Sequence, residues 1–547
     1  MSADPEVRRL EARLGLRTAL VFGATQIWRG ATTALLLGAV FLLPATKAQG
    51  AVLRVPEDFG TIQAAVDAAL AGDSVLLAAG TYSGEGNSGI TVERSLTICS
   101  LAGPESTVLA DADPQWGIFF SPETSDDELA VSGLSIVGAA GGIYATEGGS
   151  LHVKRARLLN CSSPGGINAN WGSVTLESVV FESNHSSTHG GGVDCSDCSV
   201  EILSCDFAQN RSSWGGAVSL FNSDCVIEEG SFEGNQAFRT GGAIRTAGTG
   251  SLVVRGSLFA GNQAETISGG AIDWSQVDGS LEQCQFIDNQ AFAGGGAVIV
   301  DAGGTSLVTG CLFFGNSANN AAAVLAVNGS ACTIIGCTIV ENTVGASNSS
   351  ALGIGFQAMV STQSCIIAWN LGGSGVSVAP QGQADVLCCN VFGNELGEYS
   401  GEIVDPTGSD GNISLDPMFC GPVGSGEFHL SGNSPCTASS SDCGQIGRPT
   451  PSTWPTCSTS VACSTGCRWR FCWPHPGSRV CGRRRSPPSW KRAWRFCAAR
   501  TRRCRSAIAA SRPSSSTPGA CSPPASSRSL RNLPSFTAAS HARRPRP

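Results

Sequence analysis

Apolar and polar residues alternate along this chain in short runs that break off and restart out of phase. From about residue 170 to 400 the runs recur in threes. Aligned on a repeating Asn, apolar residues stand eight positions before it, at Leu176, Ile202, Ile227, Val254, Leu281, Val308 and Ile334. Positions five and three before the Asn are apolar with a polar residue between them, the period-two pattern of a strand with one buried face. Positions ten and eight before it alternate out of phase with that pair, so a bend separates two strands. A third apolar pair follows: Ala217-Val218, Ala243-Ile244, Ala271-Ile272, Ala297-Val298 and Ala323-Val324. Three strands and three bends fill about 26 residues, which leaves no room for a helix. One such unit is a coil of a parallel β-helix. The expected fold is therefore all-β, a solenoid of about 10–12 coils.

The repeat carries its own punctuation. Phe-x-x-Asn stands at Phe181/Asn184, Phe207/Asn210, Phe232/Asn235, Phe259/Asn262, Phe286/Asn289 and Phe313/Asn316, then with Ile at Ile339/Asn342 and Ile367/Asn370. Successive Asn residues are 26, 25, 27, 27, 27, 26 and 28 positions apart. An amide at the same bend of every coil can donate to one neighbour and accept from the other, so these eight Asn are expected to form a ladder. The Phe column stacks rings along the axis. A glycine pair at a second bend allows positive φ or close backbone approach. All three features are structural and name no activity.

Phe-x-x-Asn alternating with Gly-Gly-Ala-(Ile/Val) resembles the repeat of the polymorphic outer-membrane proteins, β-helical bacterial surface proteins implicated in adhesion. The resemblance covers residues 130–400. The segment "VPEDFGTIQAAVDAALAGDSVLLAAGTY", Val55–Tyr82, is similar to the opening of many secreted pectin-lyase-like β-helix proteins. The resemblance implies a right-handed solenoid, the hand also favoured for parallel crossovers, located at a bacterial surface or outside the cell. The family's C-terminal membrane barrel has no counterpart here, because no long series of alternating strands follows residue 400.

Within that opening, Ile62, Val66, Ala69 and Leu70 share a helical face ahead of Gly72, which predicts a helix capping the first coil and shielding its strand edge. Trp116, Phe119 and Phe120 are assigned to irregular first coils. Residues 51–129 thus form cap and first coils, 130–400 the repeats and 401–447 the last coils or a cap.

The two ends are of other material. Arg29 followed by an apolar run from Ala31 to Leu43, with small residues for cleavage after Ala48 or Gly50, reads as a secretory signal within 1–50. It sits late, so the true start is placed near residue 29. Residues 448–547 hold 19 Arg, one Lys and no Asp or Glu, against 15 basic and 43 acidic residues in the first 447. The net charge of −8 averages two unlike segments. The tail, with no motif or period, is expected to be a disordered, out-of-frame translation. Read two bases later, its start gives Ala-His-Ala-Val-Asp-Val-Ala-Asp, and no function is assigned to it.

Of 24 Cys, eight lie in that tail. Cys436 and Cys443 flank a short polar loop and are expected to form a disulfide in an oxidising compartment. Cys195 and Cys198 could pair, but a single C-x-x-C is poor grounds for zinc, and no metal site is expected. Cys205, Cys284, Cys311, Cys337, Cys365 and Cys389 share one column and are expected to stay thiols, since parallel Cβ vectors suit bridging poorly.

Candidate chemistry lies on an outward column: Asp194, Ser219, Arg245, Asp273, Ile299, Leu325. Arg245 and Asp273 fall in adjacent coils, with Asp194 two coils from Arg245 on the other side. Asp194, Arg245 and Asp273 are the catalytic candidates, as acid, base or uronate-holding group. Trp171 and Trp214 are candidate sugar-stacking surfaces, and His185 and His189 flank a Gly-rich bend. Alternation places Trp274 on the buried side. Surface ion pairs would give the same pattern without any activity. The expected function is non-catalytic adhesion or glycan binding by an exported rod, with an extracellular glycan or surface protein as partner. An acidic rod excludes nucleic acid, and membrane contact would come only through a missing C-terminal anchor. The alternative is a polysaccharide lyase or glycoside hydrolase acting on the same sheet. No cofactor is expected, Ca²⁺ entering only with that alternative.

Overall fold

The computed structural model describes residues 50–110, 116–346, 349–421, 428–437 and 443. The chain divides into units 1–462 and 463–547, and every described residue belongs to the first. The secretory-signal segment and the Arg-rich tail lie outside the described residues.

The described chain is an all-parallel β-solenoid whose strands form three sheets. The second sheet has 13 strands and thereby counts 13 coils, more than the Asn spacing predicts. The extra coils come from the N-terminal part, where other side chains occupy the Phe position. In register, Tyr82, Leu109, Ile136 and Leu158 precede Phe181, and Ile339, Ile367 and Val391 follow Phe313. Apart from Tyr82 at its start, only the middle of this column is aromatic. There the six rings from Phe181 to Phe313 lie parallel, with centroids 4.7, 4.8, 4.7, 4.9 and 4.8 Å apart. All are buried.

The Asn column forms the bend after the second sheet. Each Asn Nδ2 donates to Oδ1 of the next Asn, from Asn184 through Asn210, Asn235, Asn262, Asn289, Asn316, Asn342 and Asn370 to Asn394. Asn394 Nδ2 donates to Glu398 Oε2 at 2.7 Å, so a carboxylate closes the C-terminal end of the ladder. A short third sheet of six strands follows the Asn, with Ala264, Ala291 and Ala318 inside it. The glycine pair then turns the chain into the broad 25-stranded sheet. Gly241 has φ +65°, and a Cβ on Gly242 would land on the Gly270 carbonyl of the next coil. A larger residue at either place is excluded for these two separate reasons.

The opening segment folds into helix α1, Ile62–Ala68, with Thr61 Oγ1 accepting from Ala64 N–H at 3.3 Å. Ile62, Ala65, Val66 and Ala69 are buried in the main core. Leu70 departs from the predicted face: the helix ends at Ala68, Ala69 is extended, and Leu70 is 72% exposed. Trp116–Phe120 is a regular strand, in register with Gly141–Ala145.

Beyond Tyr399–Gly401 the chain folds over the outside of the second sheet. Phe419 pairs antiparallel with Leu430. Phe428 and Cys436 pack on Leu312, Val340, Ile366 and Ala368. The Cys436–Cys443 bridge predicted from the sequence does not form. Cys443 is bonded to Cys388, whose Cα lies 5.6 Å away, within bridging range. Cys436 is instead a buried thiol whose Sγ accepts from Asn390 Nδ2 at 3.0 Å. The short loop suggested proximity, but Cys436 is part of the apolar seal and faces the sheet.

Candidate functional site

The outward column read from the sequence is continuous in the broad sheet. Strand register aligns Phe119, Tyr144, Asn168, Asp194, Ser219, Arg245, Asp273, Ile299 and Leu325 across successive coils. Its character changes along the axis. The first part is aromatic, with Tyr144 stacked on Trp116 at 4.5 Å. The middle is polar and charged. At the far end Ile299 and Leu325 pack with Ala321 in a small buried cluster, so apolar contacts at the glycine bend cover that end.

The charged middle centres on Trp214, at the end of strand Arg211–Trp214 in the third sheet. The Arg245 and Arg239 guanidinium carbons lie 4.7 and 4.9 Å from its ring centroid, within cation–π range. His189 pairs with Trp214 from the preceding coil. Asp194 accepts from Asn168 Nδ2 at 3.1 Å, and Asn168 Oδ1 accepts from Asn170 Nδ2 at 3.1 Å. Burial pushes the Asp194 carboxyl above the usual aspartate range, opposed by His189, the Ser219 hydroxyl and Arg245. Arg245 is shifted down by burial, against the pull of Asp273 and Asp194.

Asp273 is not a solvent-facing member of this column. It is buried at 7% exposure, and Ser275 Oγ donates to its Oδ1 at 2.5 Å. Burial raises its pKa, and the Ser275 and Arg245 contributions come behind. It follows Asp194 by three coils, about 14 Å at the strand spacing. The two carboxylates thus lie too far apart to work as the acid and base of one glycosidic bond.

The remaining candidates separate from this corner or join it at the edge. Trp171 is 60% exposed with φ +59°, at a turn inside strand Gly165–Glu177. His185 is exposed and pairs with Arg211 at the start of the third sheet. Trp274 is buried, and its Nε1 donates to the Val277 carbonyl at 3.0 Å. Cys195 and Cys198 are both buried thiols. Arg239 escaped the sequence reading because its strand, between Asn and the glycines, has no alternation of large apolar residues.

The corner is open rather than enclosed. Shallow hollows occur elsewhere: one of about 190 Å³ beside α1, lined by Gln63, Asp67 and Arg94, and one of about 320 Å³ over Gly279, Thr305 and Leu307. The first also holds Glu93, while the second is lined by no titratable group.

A family model described as "Right handed beta helix region" matches residues 165–344. The fold is that of a right-handed parallel β-helix. Among solved structures, the chain is similar to the PL6 family alginate lyase AlyGC at 13% identity and a TM-score of 0.40, covering 75% of this chain and 60% of that one. It is similar to bacteriophage CBA120 tailspike protein 3 at 11% identity and a TM-score of 0.34, covering 76% and 69%. It is also similar to the A-module of the Azotobacter vinelandii mannuronan C-5 epimerase AlgE4 at 13% identity and a TM-score of 0.30, covering 65% and 94%. The chain spans about 60% of the length of the first of these. No curated protein matches it.

Proposed function

We propose that this chain is an exported protein that binds a glycan at the corner around Trp214 and does not cleave it. The observation that carries this reading is the partly exposed Trp214 ring held by two guanidiniums, at 4.7 and 4.9 Å, beside an Asp194 already oriented by Asn168. A partly exposed ring with guanidinium donors over it and an oriented carboxylate beside it suits a sugar, which is apolar on its faces and polar around its edge. An open corner also suits a polymer that extends past the site in both directions. Against hydrolysis stands the wide separation of Asp194 and Asp273, and the engagement of Asp273 inside the protein.

One observation favours a second reading. Arg245 aligns with Asp273 in the next coil and lies over the Trp214 ring, where its guanidinium can hold the carboxylate of a uronate as in a polysaccharide lyase. The test is to incubate the purified chain with acidic and neutral polysaccharides, with and without Ca²⁺, following chain cleavage and retention of intact protein together. Retention without cleavage, lost in Trp214→Ala, supports binding. Cleavage abolished by Arg245→Ala establishes the lyase instead.

A further inference from the structure

The third sheet carries a two-coil repeat that the Trp214 corner does not use. After the Asn ladder the chain reads Asn-Gln-Ala-Phe at 235–238, Asn-Gln-Ala-Glu at 262–265 and Asn-Gln-Ala-Phe again at 289–292. Strand register aligns Gln236 with Gln263 and Gln263 with Gln290, and likewise the three Ala residues that point into the core. The next residue in each coil faces outward. Phe238 is 50% exposed and Phe292 60% exposed, with Glu265 between them. Two large rings therefore stand in solvent on one line, two coils apart, about 9.6 Å along the axis.

Nothing in the core requires these rings, since the small residues Ala237, Ala264 and Ala291 already fill the inside of this sheet. Beside them runs a parallel row of glutamine amides, one per coil. On this face Arg211 Nη2 lies 3.2 Å from Glu265 Oε1, and Arg239, beside Phe238, lies over the Trp214 ring. The face offers ring faces at two-coil spacing and amide donors and acceptors at one-coil spacing, with its one unbalanced charge, Arg239, drawn onto the Trp214 ring at one end.

We infer that this face is a track for a neutral, extended β-1,4-linked polysaccharide lying parallel to the solenoid axis. Such a chain is a flat two-fold ribbon that presents the same sugar face once per disaccharide, a repeat close to the separation of the two rings. Phe238 and Phe292 each stack on one face of alternate sugars, while Gln236, Gln263 and Gln290 take the hydroxyls along one edge. The track rests on the glycan-binding reading above and lengthens its site, since the strand that carries Trp214 is the first of the same sheet.

The test measures binding of the full chain to β-1,4-glucan oligosaccharides of graded length, from the disaccharide upwards. The Phe238→Ala, Phe292→Ala, double, Phe238→Tyr and Trp214→Ala variants are measured alongside, with thermal melts to confirm folding. Affinity is expected to rise steeply once the ligand is long enough to reach both rings. Each Phe→Ala change should weaken the longer ligands about tenfold, as for loss of one stacked ring. The double variant should remove the length dependence, and Phe238→Tyr should keep it. Unchanged affinity in the double variant with loss in Trp214→Ala overturns the track and leaves the glycan reading standing. So does binding of acidic polysaccharides alone. A dimer that the double variant dissociates makes the face a self-association surface and overturns the proposal. Failure to bind any glycan, acidic or neutral, overturns the track together with the reading it rests on.

Discussion

Asn235 and Asn262 are joined twice: Asn262 Oδ1 accepts from Asn235 Nδ2 at 2.9 Å and from the Asn235 backbone N–H at 3.0 Å. Asn262 Nδ2 in turn donates to the Phe232 carbonyl and to Asn289 Oδ1, each at 2.9 Å. One amide thus ties three coils together, satisfying groups in the coils on either side of its own, in an interior closed to water. Asn262→Ala removes four buried hydrogen bonds at once and leaves the Asn235 N–H unpaired, while Asn235 Nδ2 keeps the Phe207 carbonyl and Asn289 Oδ1 keeps the backbone N–H of residue 262. With about 1–3 kcal/mol for the buried group left unpaired and about 1 kcal/mol for each of the other three bonds, less some relaxation, the loss should be about 4 kcal/mol. Denaturant unfolding measures it. A loss under about 1 kcal/mol would show that the ladder contributes little beyond filling space.

The ring column predicts a graded response. Phe259 lies between Phe232 at 4.7 Å and Phe286 at 4.9 Å and is fully buried. Phe259→Ala should cost about 4 kcal/mol through lost burial and the cavity left behind. Phe259→Ile should cost clearly less, because the same column already carries Ile at 339 and 367 in unbroken register. Thermal melts of the two variants provide the comparison, and equal losses would contradict it.

Most of the fold was legible because a solenoid writes its architecture once per coil. Phe-x-x-Asn and the glycine pair fix the bends, and alternation fixes which residues face inward, Trp274 included. The first coils were harder, since Leu109, Ile136 and Leu158 hold the Phe position without the motif. Leu70 misled because helical periodicity does not show where a helix stops. The partner of Cys443 was illegible for another reason. Cys388 is 55 residues away, and only the fold-back of the C-terminal segment brings the two together. At the candidate site the outward column could be read from the repeat, but the burial of Asp273 could not. Arg239 entered only through its position against Trp214, which no spacing along the chain announces.

Six buried thiols should be chemically silent. Burial raises Cys161 and Cys205 to about 12, and Cys332 to about 11, while Cys311, Cys337 and Cys365 are pushed higher by the same cause. At pH 8 the thiolate, the reactive form, is then a negligible fraction, and the sulfurs are out of reach of reagent as well. Alkylation of the native protein followed by mass-spectrometric mapping should leave these six unmodified. Unfolding in denaturant should make all six react. Labelling of any of the six in the native protein at the rate of a free thiol would show that the coils open on the timescale of the reaction.

Asp273 gives a pH signature. Burial, the largest influence, raises its folded-state pKa, and Asp301 adds to it, while Ser275 and Arg245 oppose. A carboxyl raised in the folded state contributes its stability in full below the unfolded value near 3.9, and loses it as pH rises through the folded value. Asp273→Asn cannot ionise and should gain on the natural protein as pH rises from 4 to 8. A constant difference across that range would show that Arg245 compensates the buried charge completely.

The corner and the column beside it make different predictions for binding, and this separates recognition from architecture. Trp214 presents its ring at the surface between two guanidiniums, whereas Trp274, buried in the broad sheet, spends its indole N–H on Val277. Trp214→Ala should leave the melting temperature within a few degrees and weaken glycan retention about tenfold or more, since a stacked ring and its two cation contacts are lost together. Arg239→Ala and Arg245→Ala should each weaken it by a smaller factor, more so for an acidic glycan, and that difference should shrink as salt screens the guanidinium charge. Trp274→Phe should do the reverse, lowering stability with retention unchanged below the transition. Affinity chromatography on an immobilised polysaccharide at two salt concentrations, with melts of the same samples, reads all four variants. If Trp214→Ala lowers the melting temperature as much as Trp274→Phe and leaves retention intact, Trp214 is a structural residue and the glycan site must be sought elsewhere on the solenoid.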